Sequence, residues 1–408
     1  MIKRITLENF FSFSESTTIE LNAGVNILVG INGSGKSNFL KAIRFLYESI
    51  SGKGLEKLFL KDWGGFNTVA NFNESKSDTI KLFYEFDCEV INKVVNGNGY
   101  EFRENLVYEI TIHKTGVTSY YVEEYLYNGK EKKQTTPFVF LKMDNGKGII
   151  STRENSKVGI QHYPQNDRSI SFKEQELILR QISDPIRFLP LYTLKLAIDS
   201  ISVYDYFDTT LESRIRQKSF DGIETKLLSS GENLVQILSR LKNHHTLQYE
   251  KIEEMLNKVN PNFKDISFDK LGNNFYLTLR EKKLAKTVGI EQISDGTLRY
   301  LLILSIFLNP DRGNLVCIDE PEIGLHPDMI NTTAEVIKKA STNSQVIIAT
   351  HSPQLLNSFE IDDVIVFEKD ENNKTIVTRK TETDFENWSD DFLVGQLWLR
   401  GKIGGKRW

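Results

Sequence analysis

The sequence predicts an α/β fold that also carries an antiparallel β region and a helical insertion. Near both ends of the chain, apolar strand-like runs alternate with segments of helical periodicity, as in "VNILVG" followed by "SNFLKAIRFLYESI". The middle of the chain is different, because aromatic and β-branched runs come first and apolar-striped helix formers follow. We therefore expect an N-terminal lobe over residues 1–78, a β-rich subdomain over 79–165, a helical insertion over 166–260 and a C-terminal lobe over 261–408.

Bulk composition limits the class of protein before any motif is considered. The 408 residues exceed one typical domain, and 51 Lys and Arg against 55 Asp and Glu give a net charge of −4, so no overall positive charge favours nucleic acid. The two cysteines, Cys88 and Cys317, lie in separate strand-like runs and predict neither a disulfide framework nor a zinc site. Because we find no signal peptide and no apolar segment of membrane-spanning length, we expect a soluble cytoplasmic protein without a membrane partner.

The N-terminal elements follow from local periodicity. Residues 3–11 and 25–30 are predicted strands, and residues 37–50 repeat apolar residues at helical spacing. Residues 79–91 and 106–113 are predicted strands of the antiparallel region. Three Asn-Gly dipeptides, which suit tight hairpin turns, punctuate that region: Asn96-Gly97, Asn128-Gly129 and Asn145-Gly146.

The helical insertion and the C-terminal lobe are interpreted in the same way. Four apolar-striped segments without a sustained heptad repeat predict helices but no coiled-coil arm: residues 173–183, 211–220, 231–241 and 249–259. Strands are expected within 261–280. The predicted elements that follow are a helix after Thr297, a strand at 314–319, a helix after Pro327, a strand at 345–350 and a terminal hairpin within 363–380.

The strongest motif is "GINGSGKS", which matches G-x-x-x-x-G-K-[S/T] between a predicted strand and a predicted helix. Glycines allow the tight backbone that points N–H groups at phosphate oxygens, Lys36 would neutralise the β- and γ-phosphates, and the Ser37 hydroxyl would bind Mg²⁺. A chance Gly-rich turn is the alternative, and the flanking elements disfavour it. The predicted nucleotide contacts here are Gly30, Asn32, Gly33, Ser34, Gly35, Lys36, Ser37 and Asn38.

Two later strands end in candidate catalytic groups. In "NLVCIDEPEIGLHP" the strand ends at Asp319, a predicted Mg²⁺ ligand, and at Glu320, a predicted base for the attacking water. In "QVIIATHSP" the strand precedes His351, which we expect over the same crevice because one strand–helix–strand step separates the two motifs. A solvated acidic pair and a structural histidine are the alternatives.

A third candidate is the loop "ISDGT", in which small or polar residues precede an apolar run too short to cross a bilayer. Unpaired N–H groups at a helix start attract anions, so Ser294 and Gly296 are candidate phosphate contacts. The alternative is an ordinary Ser or Asp cap on a buried helix. The loop alone does not decide between them.

Taken in order, "GINGSGKS", "ISDGT", "CIDEPEIGLHP" and "IIATHSP" resemble the Walker A, signature, Walker B with D-loop, and switch-histidine motifs of ABC-type ATPases of the RecF and SMC branch. "LENFFSF" resembles that branch's opening strand, and "SSGENLVQILSRL" resembles a segment of its single-chain bacterial members. The likeness covers nearly the whole chain, although 79–165 matches only loosely. It implies a P-loop ATPase head with ATP and Mg²⁺ as ligands, Walker A in the lobe 1–78 and the other motifs in 261–408.

The resemblance also implies a homodimer in which the signature residues Ser294 and Gly296 contact the γ-phosphate held by the other copy. Two features depart from the family pattern. Asp295 stands where the signature usually has its second glycine, and the Q-loop has no clear glutamine, although residues 62–72 occupy roughly its place. The contribution of that segment to Mg²⁺ binding is therefore unassigned.

The resemblance extends to ATPase subunits of bacterial anti-phage systems of the Septu, PARIS and retron-associated types. Only 57 residues follow His351 (408 − 351), fewer than the roughly 100 that a fused nuclease domain needs, so we expect the effector on a separate polypeptide. The alternative is a RecF-like DNA-repair clamp that binds duplex DNA, for which the basic stretches 281–286 and 399–408 are weak candidates. A transporter subunit is disfavoured by the N-terminus and the helical insertion.

The C-terminal tail combines aromatic and basic residues: Trp398, Arg400, Lys402, Lys406, Arg407 and Trp408. Such a tail suits either a frayed, solvated terminus or a docking site for a partner or nucleic acid. Because it lies beyond all four motifs, the sequence alone suggests that its removal spares ATP hydrolysis.

Overall fold

The structure is a computed structural model that describes all residues except 73–76, 96, 98, 117, 130–136, 155–156, 165–170, 218, 221, 272–273, 386–391 and 406–408. The strands are β1 Ile2–Glu8, β2 Thr17–Glu20, β3 Val25–Gly30, β4 Thr79–Phe86, β5 Leu106–Lys114, β6 Tyr120–Asn128, β7 Val139–Asp144, β8 Lys147–Glu154, β9 Lys157–Tyr163, β10 Ile201–Tyr204, β11 Ser219–Phe220, β12 Phe263–Leu271, β13 Asn274–Glu281, β14 Val288–Gly289, β15 Leu315–Asp319, β16 Gln345–Ala349, β17 Val364–Lys369 and β18 Thr375–Arg379. The helices are α1 Lys36–Ile50, α2 Phe66–Val69, α3 Cys88–Val94, α4 Ile178–Gln181, α5 Leu189–Asp199, α6 Leu234–His244, α7 Thr246–Val259, α8 Asp295–Phe307, α9 Pro327–Ser341, α10 Pro353–Leu356 and α11 Val394–Leu399.

A six-stranded sheet in the order β10-β15-β16-β3-β17-β18 forms the centre of the described fold. Its strands are parallel except for β18, which pairs antiparallel with β17 as the predicted terminal hairpin. Within the sheet Asp319 is in register with Ala349, and Ala349 with Leu28. The loops that carry the predicted nucleotide, carboxylate and histidine motifs therefore leave the same edge of neighbouring strands, as the sequence predicted.

An eight-stranded antiparallel sheet in the order β2-β1-β4-β5-β6-β7-β8-β9 lies beside the central sheet. β4 shows strict alternation of buried and half-buried residues and pairs with β1, so the N-terminal strands and the β-rich region share one sheet. The Tyr84 hydroxyl donates to the Ala42 carbonyl oxygen at 2.7 Å, which ties this sheet to α1. The division of the chain at residues 78, 165 and 260 stays a prediction.

The two faces of the central sheet pack into two different cores. Along β15, Leu315 and Cys317 belong to the core shared with the antiparallel sheet, α1 and α5, whereas Val316 and Ile318 belong to the core under α6 to α9. Successive strand residues point to opposite faces, so a strand covered on both sides must be apolar throughout. This explains the apolar runs of β15 and β16 and the full burial of β3, whose polar residue Asn26 forms hydrogen bonds with the backbone of Asn22.

Several predicted elements differ from the structure. Residues 211–220, predicted helical, contain the 3₁₀ turn Arg214–Arg216 and the strand β11. The predicted strand 79–91 stops at Phe86, because the Asp87 side chain accepts hydrogen bonds from two backbone N–H groups and starts α3. β2 and β10 were not predicted, since four residues are too few to show a period.

The predicted turn at Asn145-Gly146 is confirmed. Asn145 and Gly146 have φ values of 49° and 74° and form the tight turn between β7 and β8. Asn96, in another predicted turn, lies outside the described residues. Cys88 and Cys317 are both free thiols. Within the described residues, no helix combines the length and the apolarity needed to cross a bilayer.

Candidate nucleotide site

The loop between β3 and α1 needs its glycines for two separate reasons. Gly30, Gly33 and Gly35 have φ values of 153°, 76° and 115°, which side chains rarely tolerate. A Cβ on Gly30 would lie 2.1 Å from the carbonyl oxygen of Phe367, and one on Gly35 would lie 2.6 Å from Thr375 Oγ1. The C-terminal hairpin therefore packs directly against this candidate phosphate-binding loop.

The remaining loop residues differ in exposure. Asn32 and Ser37 are exposed. Ser34 is fully buried, its N–H donates to the Ile31 carbonyl oxygen at 3.2 Å, and its own carbonyl oxygen accepts from the Thr375 hydroxyl at 2.9 Å. Ser34 thus stabilises the loop from within.

Lys36 lies inside the loop rather than on the surface. Its ammonium donates to the carbonyl oxygens of Gly30 at 2.9 Å and Ile31 at 3.2 Å, and the residue is only 4% exposed. Burial lowers the pKa of Lys36 to about 8, although the negative charges of Asp319 and Glu320 oppose that shift. The side chain is therefore mostly charged at pH 7 but close to its titration range.

Asn38 connects the loop between β3 and α1 to the turn after β1. Its Nδ2 donates to the Ser12 hydroxyl at 2.9 Å. The Phe11 carbonyl oxygen next to Ser12 accepts from Asn71 Nδ2 at 2.7 Å, and Phe11 also packs edge-on against Trp63. The segment 62–72 thus contacts the turn after β1, and through it the start of α1.

Ser37 and Asp319 form the oxygen-rich part of the site. Burial raises the pKa of the Asp319 carboxyl, and the Ser37 side chain opposes that shift. Hydroxyl and carboxylate oxygens are the donors that Mg²⁺ prefers. Within the described residues, no cluster of three His, Cys, Asp or Glu side chains makes a metal site by itself, so a cation here would complete its shell with nucleotide and water.

Glu320 and His351 come together at the ends of β15 and β16. His351 Nε2 lies 3.5 Å from Glu320 Oε1, and their side chains are 30% and 33% exposed. Burial, helped by the charge of Lys36, lowers the pKa of His351 to about 4, so the imidazole is neutral at pH 7 and this contact is no ion pair. Glu320 also holds a φ of 48°, a strained conformation that its N–H supports by donating to Ala349 at 2.8 Å.

Sequence reasoning missed two acidic residues near this site. Glu322 Oε1 accepts hydrogen bonds from the Thr350 hydroxyl at 2.5 Å and from the His351 N–H at 3.0 Å. Asp205 follows β10 and forms an ion pair with Arg44 of α1. β10 was too short to be recognised, and nothing in the local sequence signals the long-range contacts of Glu322.

The signature loop caps α8 and packs on the turn after Glu320. The Ser294 side chain accepts from the Thr297 N–H at 3.3 Å, so the capping alternative is correct as far as local structure goes. A Cβ on Gly296 would lie 2.7 Å from the Gly324 carbonyl oxygen. No hydrogen bond between described residues joins Ser294 or Gly296 to the loop of Lys36.

A buried arginine that the sequence did not indicate holds this loop. Arg216 donates from Nη1 to the carbonyl oxygens of Ile290 at 2.6 Å and Ile293 at 2.8 Å, and from Nε to that of Thr209 at 2.8 Å. Its Nη2 donates to Asp295 Oδ1 at 2.6 Å. The side chain of Arg216 is only 3% exposed, so these bonds are its principal compensation for burial.

The C-terminal tail is packed, so the frayed-terminus alternative is wrong for its described part. Trp398 is 4% exposed and Ile403 is fully buried. The Gly405 N–H donates to Glu368 Oε1 at 2.8 Å, and a Cβ on Gly405 would lie 3.6 Å from the Cα of Gly30. The tail therefore reaches Gly30, the first glycine of the candidate phosphate-binding loop. Lys406, Arg407 and Trp408 lie outside the described residues.

Comparisons with known proteins identify the family of the chain. The family described as "AAA domain, putative AbiEii toxin, Type IV TA system" matches residues 25–357. The chain is 23% identical over 378 residues to an ATP/GTP phosphatase of Helicobacter pylori, which covers 91% of this chain and 90% of that protein. It is 24% identical over 397 residues to the Retron Ec83 probable ATPase of Escherichia coli, covering 87% of this chain and 69% of that protein.

Solved structures support the fold. An Smc head bound to the C-winged helix domain of ScpA matches with a TM-score of 0.54 and 15% identity over 94% of this chain and 99% of that one. A Pyrococcus furiosus Smc head with an extended coiled coil matches with a TM-score of 0.54 and 14% identity over 94% and 97%. The resemblance stated from the motifs is thereby confirmed. The chain belongs to the AAA-domain family that includes AbiEii-type proteins, and it is an ATPase with the fold of an SMC head.

Proposed function

We propose that this ATPase is a nucleotide-dependent switch: two copies pair head-to-tail around ATP, and the pairing controls a separate nuclease or toxin in bacterial anti-phage defence. The observation that carries the proposal is the exposed start of α8, where Ser294 lies on the surface. A 13-residue helix with its first N–H groups near solvent attracts an anion. The γ-phosphate held by a second copy is the anion that fits this position.

Each side chain of the site has a distinct role in this scheme. Lys36 neutralises the β- and γ-phosphates, and Glu320 accepts the proton of the attacking water. His351, neutral because of its burial, offers an N–H to the γ-phosphate. Ser37 and Asp319 would hold Mg²⁺, which supplies positive charge at the phosphate oxygens.

One turn links the signature to the hydrolytic carboxylate. Gly296 lies against the Gly324 carbonyl oxygen, and Arg299 of α8 donates from Nη1 to the Ile323 carbonyl oxygen at 3.1 Å. This turn begins directly after Glu320. Contact between Ser294 and a partner's nucleotide would therefore be transmitted to Glu320. In this way the pairing of two copies is coupled to hydrolysis.

Two comparisons support a separate effector in defence. The relative from Escherichia coli is named as the probable ATPase of a retron, and the family description names a toxin system. Fold alone does not specify such a role, so the proposal rests on these likenesses. Co-purification with the products of neighbouring genes, with and without ATP, tests it, and a nuclease or toxin retained only with one nucleotide state is the expected result.

The second candidate function is a DNA clamp of the RecF kind. Lys282, Lys283 and Lys286 are exposed after β13 and could contact phosphates. If duplex DNA binds through them, affinity falls steeply with salt, with a slope set by the number of phosphates contacted. If no DNA binding is detected at any salt concentration, with or without ATP, this alternative is removed.

Glu320→Gln tests the switch itself. We expect normal ATP binding, hydrolysis slower by about 100-fold or more because only the base is lost, and a dimer that persists with ATP in light-scattering measurements. Glu371→Gln, which changes an exposed carboxylate in the β17–β18 turn, is the matched control. A monomer at all ATP concentrations, or hydrolysis at the wild-type rate, would contradict the proposal.

A further inference from the structure

The turn after β15 contains a carboxylate that the scheme above does not use. Glu322 is half-buried, and one of its oxygens, Oε1, accepts hydrogen bonds from the Thr350 hydroxyl at 2.5 Å and from the His351 N–H at 3.0 Å. The other oxygen, Oε2, is buried and has no hydrogen-bond partner among the described residues. Leaving a buried carboxylate oxygen unpaired costs stability, so this arrangement is a poor stabilising device.

The contacts of Glu322 instead join the two turns that carry the candidate hydrolytic groups. Glu322 is two residues after Glu320, and its carboxylate accepts a hydrogen bond from the backbone N–H of His351. The Thr350 hydroxyl in turn accepts from the Ser352 N–H at 2.9 Å, and Ser352 caps α10. A single side chain thus ties the loop after β16 to the turn after β15.

We infer that Glu322 is a positioning residue for ATP hydrolysis, which sets the His351 loop at the distance of 3.5 Å from Glu320 that the site shows. The inference rests on the proposed roles of Glu320 and His351. It follows from geometry, because Glu322 fixes the Thr350 hydroxyl and the His351 N–H at hydrogen-bond distance, whereas the imidazole's own contact with the β15 turn, to Glu320, is 3.5 Å long. A misplacement of about 1 Å in a catalytic group can cost about 100-fold in rate.

The test compares Glu322→Ala with Glu322→Gln. A glutamine carbonyl oxygen can accept both hydrogen bonds, so Glu322→Gln should keep kcat within about threefold, whereas Glu322→Ala should lower kcat by at least about tenfold. ATP affinity measured by calorimetry should change little in either variant, because Lys36 and its loop are untouched. A loss confined to ATP affinity, or an unchanged kcat in Glu322→Ala, would overturn the inference.

Glu124 offers a matched control for the loss of a buried carboxylate. It lies in β6, bonds to the Tyr108 hydroxyl through Oε1 and accepts from the Ile178 N–H at 2.8 Å through Oε2. Glu124→Ala should lower the melting temperature while kcat at a temperature where the protein stays folded is unchanged. If Glu124→Ala lowers kcat as much as Glu322→Ala does, the Glu322 effect is general destabilisation and the inference fails.

A double-mutant cycle with His351→Ala separates the inference from the scheme on which it rests. If Glu322 acts through His351, adding Glu322→Ala to His351→Ala should lower kcat by less than about twofold. Full additivity of the two effects would show that Glu322 does not act through His351. Normal hydrolysis by both Glu320→Gln and His351→Ala would instead contradict the proposed site, whatever Glu322 does.

Discussion

The guanidinium of Arg216 donates a 2.6 Å hydrogen bond from Nη2 to Oδ1 of Asp295, the residue at which the resemblance to ABC-type ATPases would place the second glycine of the signature. The Asp295 side chain is 65% exposed whereas that of Arg216 is 3% exposed, so the arginine is the buried and more constrained partner. The acidic replacement is thus held by a buried cation at the side of the helix start.

Replacing Arg216 by Met should destabilise the fold and loosen the signature. Three backbone carbonyl oxygens, of Thr209, Ile290 and Ile293, would lose their donor, and we expect a cost of about 2 to 4 kcal/mol in the free energy of unfolding. Denaturant unfolding measures this cost. Asp295→Gly keeps the three backbone bonds and should cost less than about 1 kcal/mol; equal losses in both variants would show that the ion pair, and not the backbone bonds, dominates.

Lys36 should take up a proton when ATP binds in mildly alkaline solution. Its pKa of about 8 means that it is partly deprotonated at pH 8.5 in the free protein, and nearby phosphates favour the ammonium form. ATP affinity should therefore fall as pH rises through 8, and calorimetry in buffers of different ionisation enthalpy should show proton uptake at about pH 8.5 and little near pH 7. Uptake that is equal at both pH values would contradict this assignment.

Lys36→Ala should abolish tight Mg·ATP binding, because a buried positive charge facing several phosphate charges is lost. Lys53→Ala, which removes an exposed lysine paired with Asp62, is the control and should bind normally. Calorimetric titration measures both variants. Tight binding retained by Lys36→Ala would remove the loop from the site.

The packing of the tail changes what its deletion should do. Removing residues 400–408 takes away buried Ile403 and the Gly405 contact beneath Gly30, so we now expect lower stability and ATP affinity reduced on the order of tenfold. Truncation after Gly405 is the matched control, since it removes only the basic and aromatic end. If the truncation after Gly405 is enough to weaken effector or DNA binding, the docking interpretation is supported. If deletion of residues 400–408 leaves ATP binding unchanged, the tail does not stabilise the loop between β3 and α1.

Mixing two inactive variants tests whether the signature acts in trans. Ser294→Arg alone should bind ATP but neither pair nor hydrolyse, and Lys36→Ala alone should be inactive. With free and even exchange, half the dimers are mixed and one of their two sites is intact, so turnover should recover to about a quarter of wild type. Ser294→Arg alone with normal hydrolysis and normal ATP-dependent pairing would show that "ISDGT" serves only as a helix cap.

The sequence by itself determined the order of the central elements and the identity of the motif-bearing loops. The glycine spacing around Lys36 indicates a backbone conformation that few other residues can adopt. The apolar runs before Asp319 and His351 indicate strands that are buried on both faces. These signals are local, because each depends on residues within about ten positions of one another. The sequence also predicted that the strands before Asp319 and His351 lie side by side and parallel, because a strand–helix–strand connection joins them.

The tertiary structure alone decided the contacts that join distant parts of the chain. Arg216 reaches Asp295, Gly405 reaches Gly30, and each pair combines residues whose local sequence predicts nothing about the other. β10 likewise becomes a strand only because β15 offers it a parallel partner. Periodicity records which face of an element is buried, whereas the partner that buries it is chosen by packing over the whole molecule.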